Sequence, residues 1–359
     1  MGGFSGSRHA SVSTSAYQEG GNDGDEPSDP LLHILENEAA HTYIEEKDID
    51  RECLPDWFDE ARYKRGAQTF ERDIFLFFSC KLSGLLTLLA IPSIVKVLVL
   101  TKQSGQPDKA FRRYVDTIRH MLFWYRTDIR DPKSRARESL AVVRKHHLRG
   151  AAAARRAGLP GISQLDMILT QFAFFGYAVL RRKQDNFSVS DQDILDFVHV
   201  WRTIGFLIGI DERFNICQFD ADLSSTTKIL EGICSKWLAP ALITPPREFD
   251  SMSRALLNGS WCMMPVIEYA SYLNYTQERA GVPEPLRCET YKASAIMLTF
   301  LHFIPNTLDW PILGPIFRMY HNASMNFSLF MSTYYPLLAW YSFPRNSNTR
   351  YQRLVPSET

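Results

Sequence analysis

The sequence predicts an all-α fold, and three observations carry that reading. Alternating apolar and polar residues, the strand signal, are scarce along the 359 residues. Long runs with apolar residues at helical spacing are common. Helix entry signals, prolines and short polar caps, stand directly before those runs. No internal repeat is visible.

Residues 1–50 are rich in Gly, Ser, Asp and Glu and hold few large apolar residues before Leu31. Such a segment cannot bury enough surface to order itself, so a disordered tail is expected, with a short helix near "PLLHILENEA". By the same argument, deleting residues 1–45 should leave stability nearly unchanged. The globular domain is expected from 51 to 345, starting near "LPDWFDEARYKRGAQTF", and 346–359 form a C-terminal tail.

The stretch "IFLFFSCKLSGLLTLLAIPSIVKVLVL", residues 74–100, is cut by Lys81 and Lys96, which leaves about 14 uncharged residues between them. A membrane span needs ~20. A buried pair of helices bent at Pro92 is predicted instead. Next, "DKAFRRYVDTIRHMLFWY" opens after Pro107 with an acidic first turn. "SRARESLAVVRKHHLRG" follows and is expected to stop at Gly150. "SQLDMILTQFAFFGYAVLRR" and "SDQDILDFVHVWRTIGFLIGI" are the next two helices. In the latter, Ser190 and Asp193 have the spacing of a capping box. The run from Met319 to Pro344 has no formal charge but holds His321, Asn322 and Asn326. It is read as packed core helices, with peripheral membrane contact left open.

Forty basic residues balance forty acidic ones, which gives no support to nucleic-acid binding. The six cysteines form no CxxC pair and no HExxH occurs, so a zinc site is not expected. Most of the thiols are read as free and buried. The N-terminus lacks an apolar signal region, and Gly6 stands where a myristoylation signal needs Ser or Thr. An intracellular protein, cytoplasmic or peripherally bound to a membrane, is the expectation. The sequons at Asn186, Asn258, Asn274, Asn322 and Asn326 then read as chance.

One short text raises a chemical question. In "VVRKHHLRG", residues 142–150, two histidines adjoin. Neighbours on a helix point ~100° apart. Leu140 and Val143 lie seven and four residues before His147, so His147 falls on the apolar stripe, and His146 on a mixed face. His147 is therefore read as the inward residue, either a hydrogen-bonded core histidine or a ligand. On the preceding helix Arg113 and Thr117 share a face, which is either a solvated edge or the lining of a cavity.

These residues resemble those of the haem-dependent oxygenase family that joins mpaB to the latex-clearing rubber oxygenases. In that family an Arg and a Thr four residues apart precede a haem-ligating His in a V-R-x-x-H pattern. Here Arg113 and Thr117 are followed by "VRKHH", whose last residue, His147, lies thirty positions after Thr117. "LPDWFDEARYKRGAQTF", "SQLDMILTQFAFFGY" and "VHVWRTIGFLIGIDERFNIC" are similar to other helices of the family's eukaryotic branch, so the likeness covers roughly residues 54–220. The bacterial enzymes carry a Lys just before the Thr, and this chain has Asp116.

The resemblance implies a single helical haem-binding domain with haem b and its iron on His147. It implies oxidative cleavage of a C=C bond in an apolar, isoprenoid-like substrate by O2. Arg113 and Thr117 would be the catalytic pair acting on oxygen. Arg144, three residues before His147, and Arg202 in "VWRTIG" are candidates for the propionates, with an ordinary salt bridge the alternative for each. The rival readings are a haem carrier or sensor and a haem-free helical interaction protein.

Overall fold

A computed structural model of the chain describes residues 30–45, 53–102, 104–287, 304–308 and 310–343. Helices account for the regular structure, and among the described residues there is no strand beyond one bridge between Tyr43 and Ser163.

Two close helix crossings set the frame. Helix α2 (Glu60–Arg72) lies against α8 (Asp191–Ile208), and α3 (Ile74–Leu88) against α7 (Gln164–Arg181). Each crossing passes through a glycine. A Cβ on Gly66 would stand 2.2 Å from the carbonyl oxygen of Asp196, and one on Gly84 would stand 2.0 Å from that of Ala173. Only a residue without a side chain lets the backbones approach so far. The crossings enclose a core of large rings, among them Phe77, Phe175, Phe197 and Trp201.

Helix α3 is buried along almost its whole length. It turns by 91° into α4 (Pro92–Thr101), with Pro92 at the first turn. No single helix among the described residues is long and apolar enough to cross a membrane. α7 and α8 both start with complete capping boxes, Ser163 with Asp166 and Ser190 with Asp193. α5 (Pro107–Arg126) and α6 (Arg135–Arg156) form an antiparallel pair, and α5 also packs on α11 (Phe249–Ser260). Between α8 and α11 come α9 (Leu223–Ile233) and α10 (Ala239–Ile243). After α11 follow α12 (Tyr269–Arg279), α13 (Ile304–Thr307), α14 (Leu313–Tyr334) and α15 (Leu337–Ser342).

Three expectations are corrected. α6 does not stop at Gly150 but runs to Arg156. The alanines at 151–154 are the strongest helix formers, and they carry the helix past the glycine.

Secondly, the charge-free run is not core over its described residues, 319–343. α14 and α15 bury few side chains, and Met319, Phe327, Tyr334 and Tyr341 are all more than 60% exposed. Apolar composition alone does not say which face of a helix is covered.

Thirdly, residues 30–45, which composition assigns to the tail, are packed. α1 (Pro30–Asn37) buries Leu31 and Leu35, and Ala39 and Ile44 follow them into the core. The Ile44 amide donates to the Ile162 carbonyl, and the Gln164 amide to that of Thr42. Residues 1–29 lie outside the described residues.

Deleting residues 1–45 is therefore expected to destabilise the domain. Leu35 is fully buried, so Leu35→Ala alone should cost ~2–5 kcal/mol in urea unfolding. An unchanged midpoint would show that α1 does not pack.

Of the described cysteines none is paired; Cys80, Cys217, Cys234 and Cys262 are buried, and Cys53 is exposed.

Candidate functional site

The α5–α6 pair is fastened at one end by a polar seam. Ser139 Oγ accepts from Trp124 Nε1 at 2.9 Å and lies 2.7 Å from His120 Nδ1. The Ala136 amide donates to Thr127 Oγ1 at 3.0 Å. Running antiparallel from that seam, the two helices bring Arg113 beside both His146 and His147.

The two histidines differ as the apolar stripe predicts. His146 is exposed, whereas His147 is part-buried and its Nδ1 is buried with no hydrogen-bond partner. Burial, then the charges of Arg113 and His146, push the His147 imidazole down to about 4. It is therefore neutral at pH 7. A neutral imidazole with a buried nitrogen free of partners is the form that can bind a metal. Between Leu140 and Ala151 no residue of α6 is fully buried.

Arg113 and Thr117 share a helix face but serve different surroundings. Thr117 borders an apolar cavity of about 50 Å³, with Phe78, Leu82, Met121, Phe174 and Met325 among its walls. Arg113 is not among those walls; its charge is felt at the histidines. Thr117 Oγ1 donates to the Arg113 carbonyl at 2.9 Å, so the lone pairs of that hydroxyl remain available.

The two propionate candidates have protein partners. Arg144 Nη1 donates to the Leu207 carbonyl at 3.2 Å, in the last turn of α8 where a cation is favourable. Arg202 pairs with Glu212 at 2.6 Å and Asp220 at 3.3 Å, and lies 4.0 Å over the Trp57 ring. Asp220 also holds His199 Nδ1 at 2.6 Å, and the Asp59 amide donates to His199 Nε2. Arg62 joins Asp196 to Asp220. Arg202 thus belongs to a polar network that ties α8 to the start of α2. None of these partners is on α5 or α6.

Sequence reasoning took Lys81 only as a charge interrupting an apolar run. In the structure it is buried at the cavity wall. Its Nζ donates to the Phe174 carbonyl at 2.5 Å, and five ring centroids lie 5.2–5.8 Å away. Burial pushes its amine down to about 7, while the ring faces favour the ammonium form. A lone lysine inside a long apolar stretch was the signal available. Among the described residues no three His, Cys, Asp or Glu side chains gather closely enough to hold a metal ion by themselves.

No protein-family profile matches the chain, and no curated protein matches its sequence. Among solved structures its fold is similar to that of the latex clearing protein LCP in the closed state. The TM-score is 0.55 and the identity 20%, over 77% of this chain and 76% of that one. At that identity the likeness is one of fold.

Proposed function

We propose that this chain is a haem b-dependent oxygenase of the mpaB and rubber-oxygenase family, in its eukaryotic branch. It would use O2 to cleave a C=C bond in an apolar, isoprenoid-like substrate. One observation carries the reading: the neutral His147 imidazole, with a buried, unpartnered Nδ1, lies beside Arg113 in a fold like that of latex clearing protein. A buried polar nitrogen without a partner costs ~1–3 kcal/mol, and holding the haem iron would remove that cost. The chemistry of the residue fits the group.

Bound there, haem would supply the iron that activates O2. The protein's own residues would do the rest. His147, already neutral at pH 7, gives up no proton on binding. Arg113 carries a permanent cation and would donate hydrogen bonds to the oxygen co-substrate. The Thr117 hydroxyl is a polar point on an otherwise apolar cavity and would orient the substrate end that enters it. That cavity, at about 50 Å³, is well below the ~300–1,000 Å³ of usual ligand sites. An isoprenoid chain would therefore enter only when a wall helix moves. The small volume also favours the second reading, a haem carrier or sensor that admits no substrate.

The visible spectrum of the purified protein, before and after dithionite, tests the cofactor. No Soret band after expression with haem supply would leave a haem-free interaction protein. Oxygen consumption with isoprenoid alkenes then separates oxygenase from carrier. If Arg113 acts on oxygen, Arg113→Ala should keep haem but lose ~100-fold in turnover, as when an oxyanion donor is removed. Thr117→Val keeps the shape and should lose less. Haem loss in Arg113→Ala would instead assign that cation to a propionate. A haem-loaded Arg113→Ala protein with full turnover would remove its catalytic role.

A further inference from the structure

We propose that the outward face of α14 and α15 docks in the interfacial layer of an anionic lipid bilayer. The face is unlike an ordinary protein surface. Phe327, Tyr334 and Tyr341 are 64%, 66% and 82% exposed, and more large apolar side chains stand around them. Exposed apolar area of this extent on a soluble protein marks an interaction site. From Met319 to Pro344 there is no formal charge. The nearest charge before it, Arg318, turns inward to the buried Asp73. Tyrosine and tryptophan recur on the face, Trp340 beside Tyr341 for example, and such rings with a polar tip settle at the headgroup level of a membrane.

Charge complementarity selects the lipid. Directly after the charge-free run come Arg345, Arg350 and Arg353, against Glu358 alone. Basic residues flanking an apolar, aromatic surface are drawn to anionic headgroups. The exposed apolar side chains lie along the outside of α14 and α15, so the attachment we propose lies in the plane of the bilayer.

The position of α14 gives the docking a use. Its inward residues Met325 and Leu329 are walls of the cavity that Thr117 borders, and its outward residues form the docking face. One helix thus separates an apolar cavity from an apolar surface. An apolar molecule dissolved in the bilayer would pass from one to the other by displacing that helix, without crossing water. This use rests on the proposed oxygenase reading; the docking itself does not.

The test is flotation of the full chain with phosphatidylcholine vesicles, with and without phosphatidylserine, in the presence and absence of haem. Binding is expected in both haem conditions, and more strongly to vesicles with phosphatidylserine. The variant Phe327→Ser/Tyr334→Ser/Tyr341→Ser should lose ~10-fold or more in binding, since three rings no longer leave water. Its circular dichroism and melting should match the parent, because these side chains are exposed. Should that triple variant unfold, Tyr341→Ser alone gives the reading. Replacing Arg345, Arg350 and Arg353 by Gln should abolish only the preference for phosphatidylserine. A full chain that binds neither vesicle overturns the proposal. If that chain forms a dimer that the triple variant dissolves, the occupant is a second copy. Vesicle binding without haem, and no Soret band under any condition, would uphold docking while ending the oxygenase reading.

Discussion

The His147→Ala variant is expected to purify without stoichiometric haem, whereas His146→Ala keeps it. The two residues adjoin, and both feel the Arg113 charge, so bulk electrostatics does not separate them. Burial does. His146 faces water, which satisfies its nitrogens, and it gains little from a metal. His147 holds a nitrogen that neither water nor protein reaches.

The same residue sets an acid limit. Its pKa in the fold, about 4, lies below the ~6.5 of an unfolded histidine, so the unfolded chain binds more protons between those values. The contribution is complete above pH ~6.5 and is lost as pH falls toward 4. His147→Ala should flatten that part of the melting-temperature profile. Equal haem loss in both variants, or full retention without His147, would contradict the assignment.

Gly84→Ala is expected to cost more than ~4 kcal/mol, the range reserved for changes that a fold cannot absorb. Its Cβ would stand 2.0 Å from the Ala173 carbonyl oxygen and 2.7 Å from two further backbone atoms. Backbone cannot swing aside as a side chain can, so α3 and α7 would have to separate. Gly150→Ala gives the opposite sign on the same chemistry. There a Cβ meets Ile162 Cδ1 at 3.5 Å and Val97 Cγ1 at 3.9 Å, both ordinary contacts, and the helix gains ~0.5–1 kcal/mol from lost unfolded-state freedom. Urea midpoints for the pair check both. A Gly84→Ala protein as stable as its parent would show that the crossing is looser than described.

What the sequence made legible was local. The Ser190–Asp193 box, the start of α5 at Pro107 and the inward turn of His147 each follow from offsets of three or four residues, and the structure has them all. What escaped depends on distant chain. The packing of α1 draws on α9, which lies more than a hundred residues away. The four-residue spacing puts Arg113 and Thr117 on one face but does not say what stands opposite each. Arg202 is drawn to Glu212 and Asp220, and no helical offset announces that network. The charge-free run at 319–344 read as core because hydropathy measures composition, not coverage.

The open middle of α6 bears on how such a protein can change over generations. The turns near both ends, around Leu140 and Ala151, are anchored by buried residues. Val142, Lys145 and Arg149 between them are half-covered or exposed. A new side chain at these positions meets solvent or a yielding neighbour rather than a packed wall, so its cost to the fold is a few tenths of a kcal/mol up to ~1. Yet each is within five residues of His147. Mutation can therefore vary these positions around one imidazole while the buried turns at either end of the helix keep it in place.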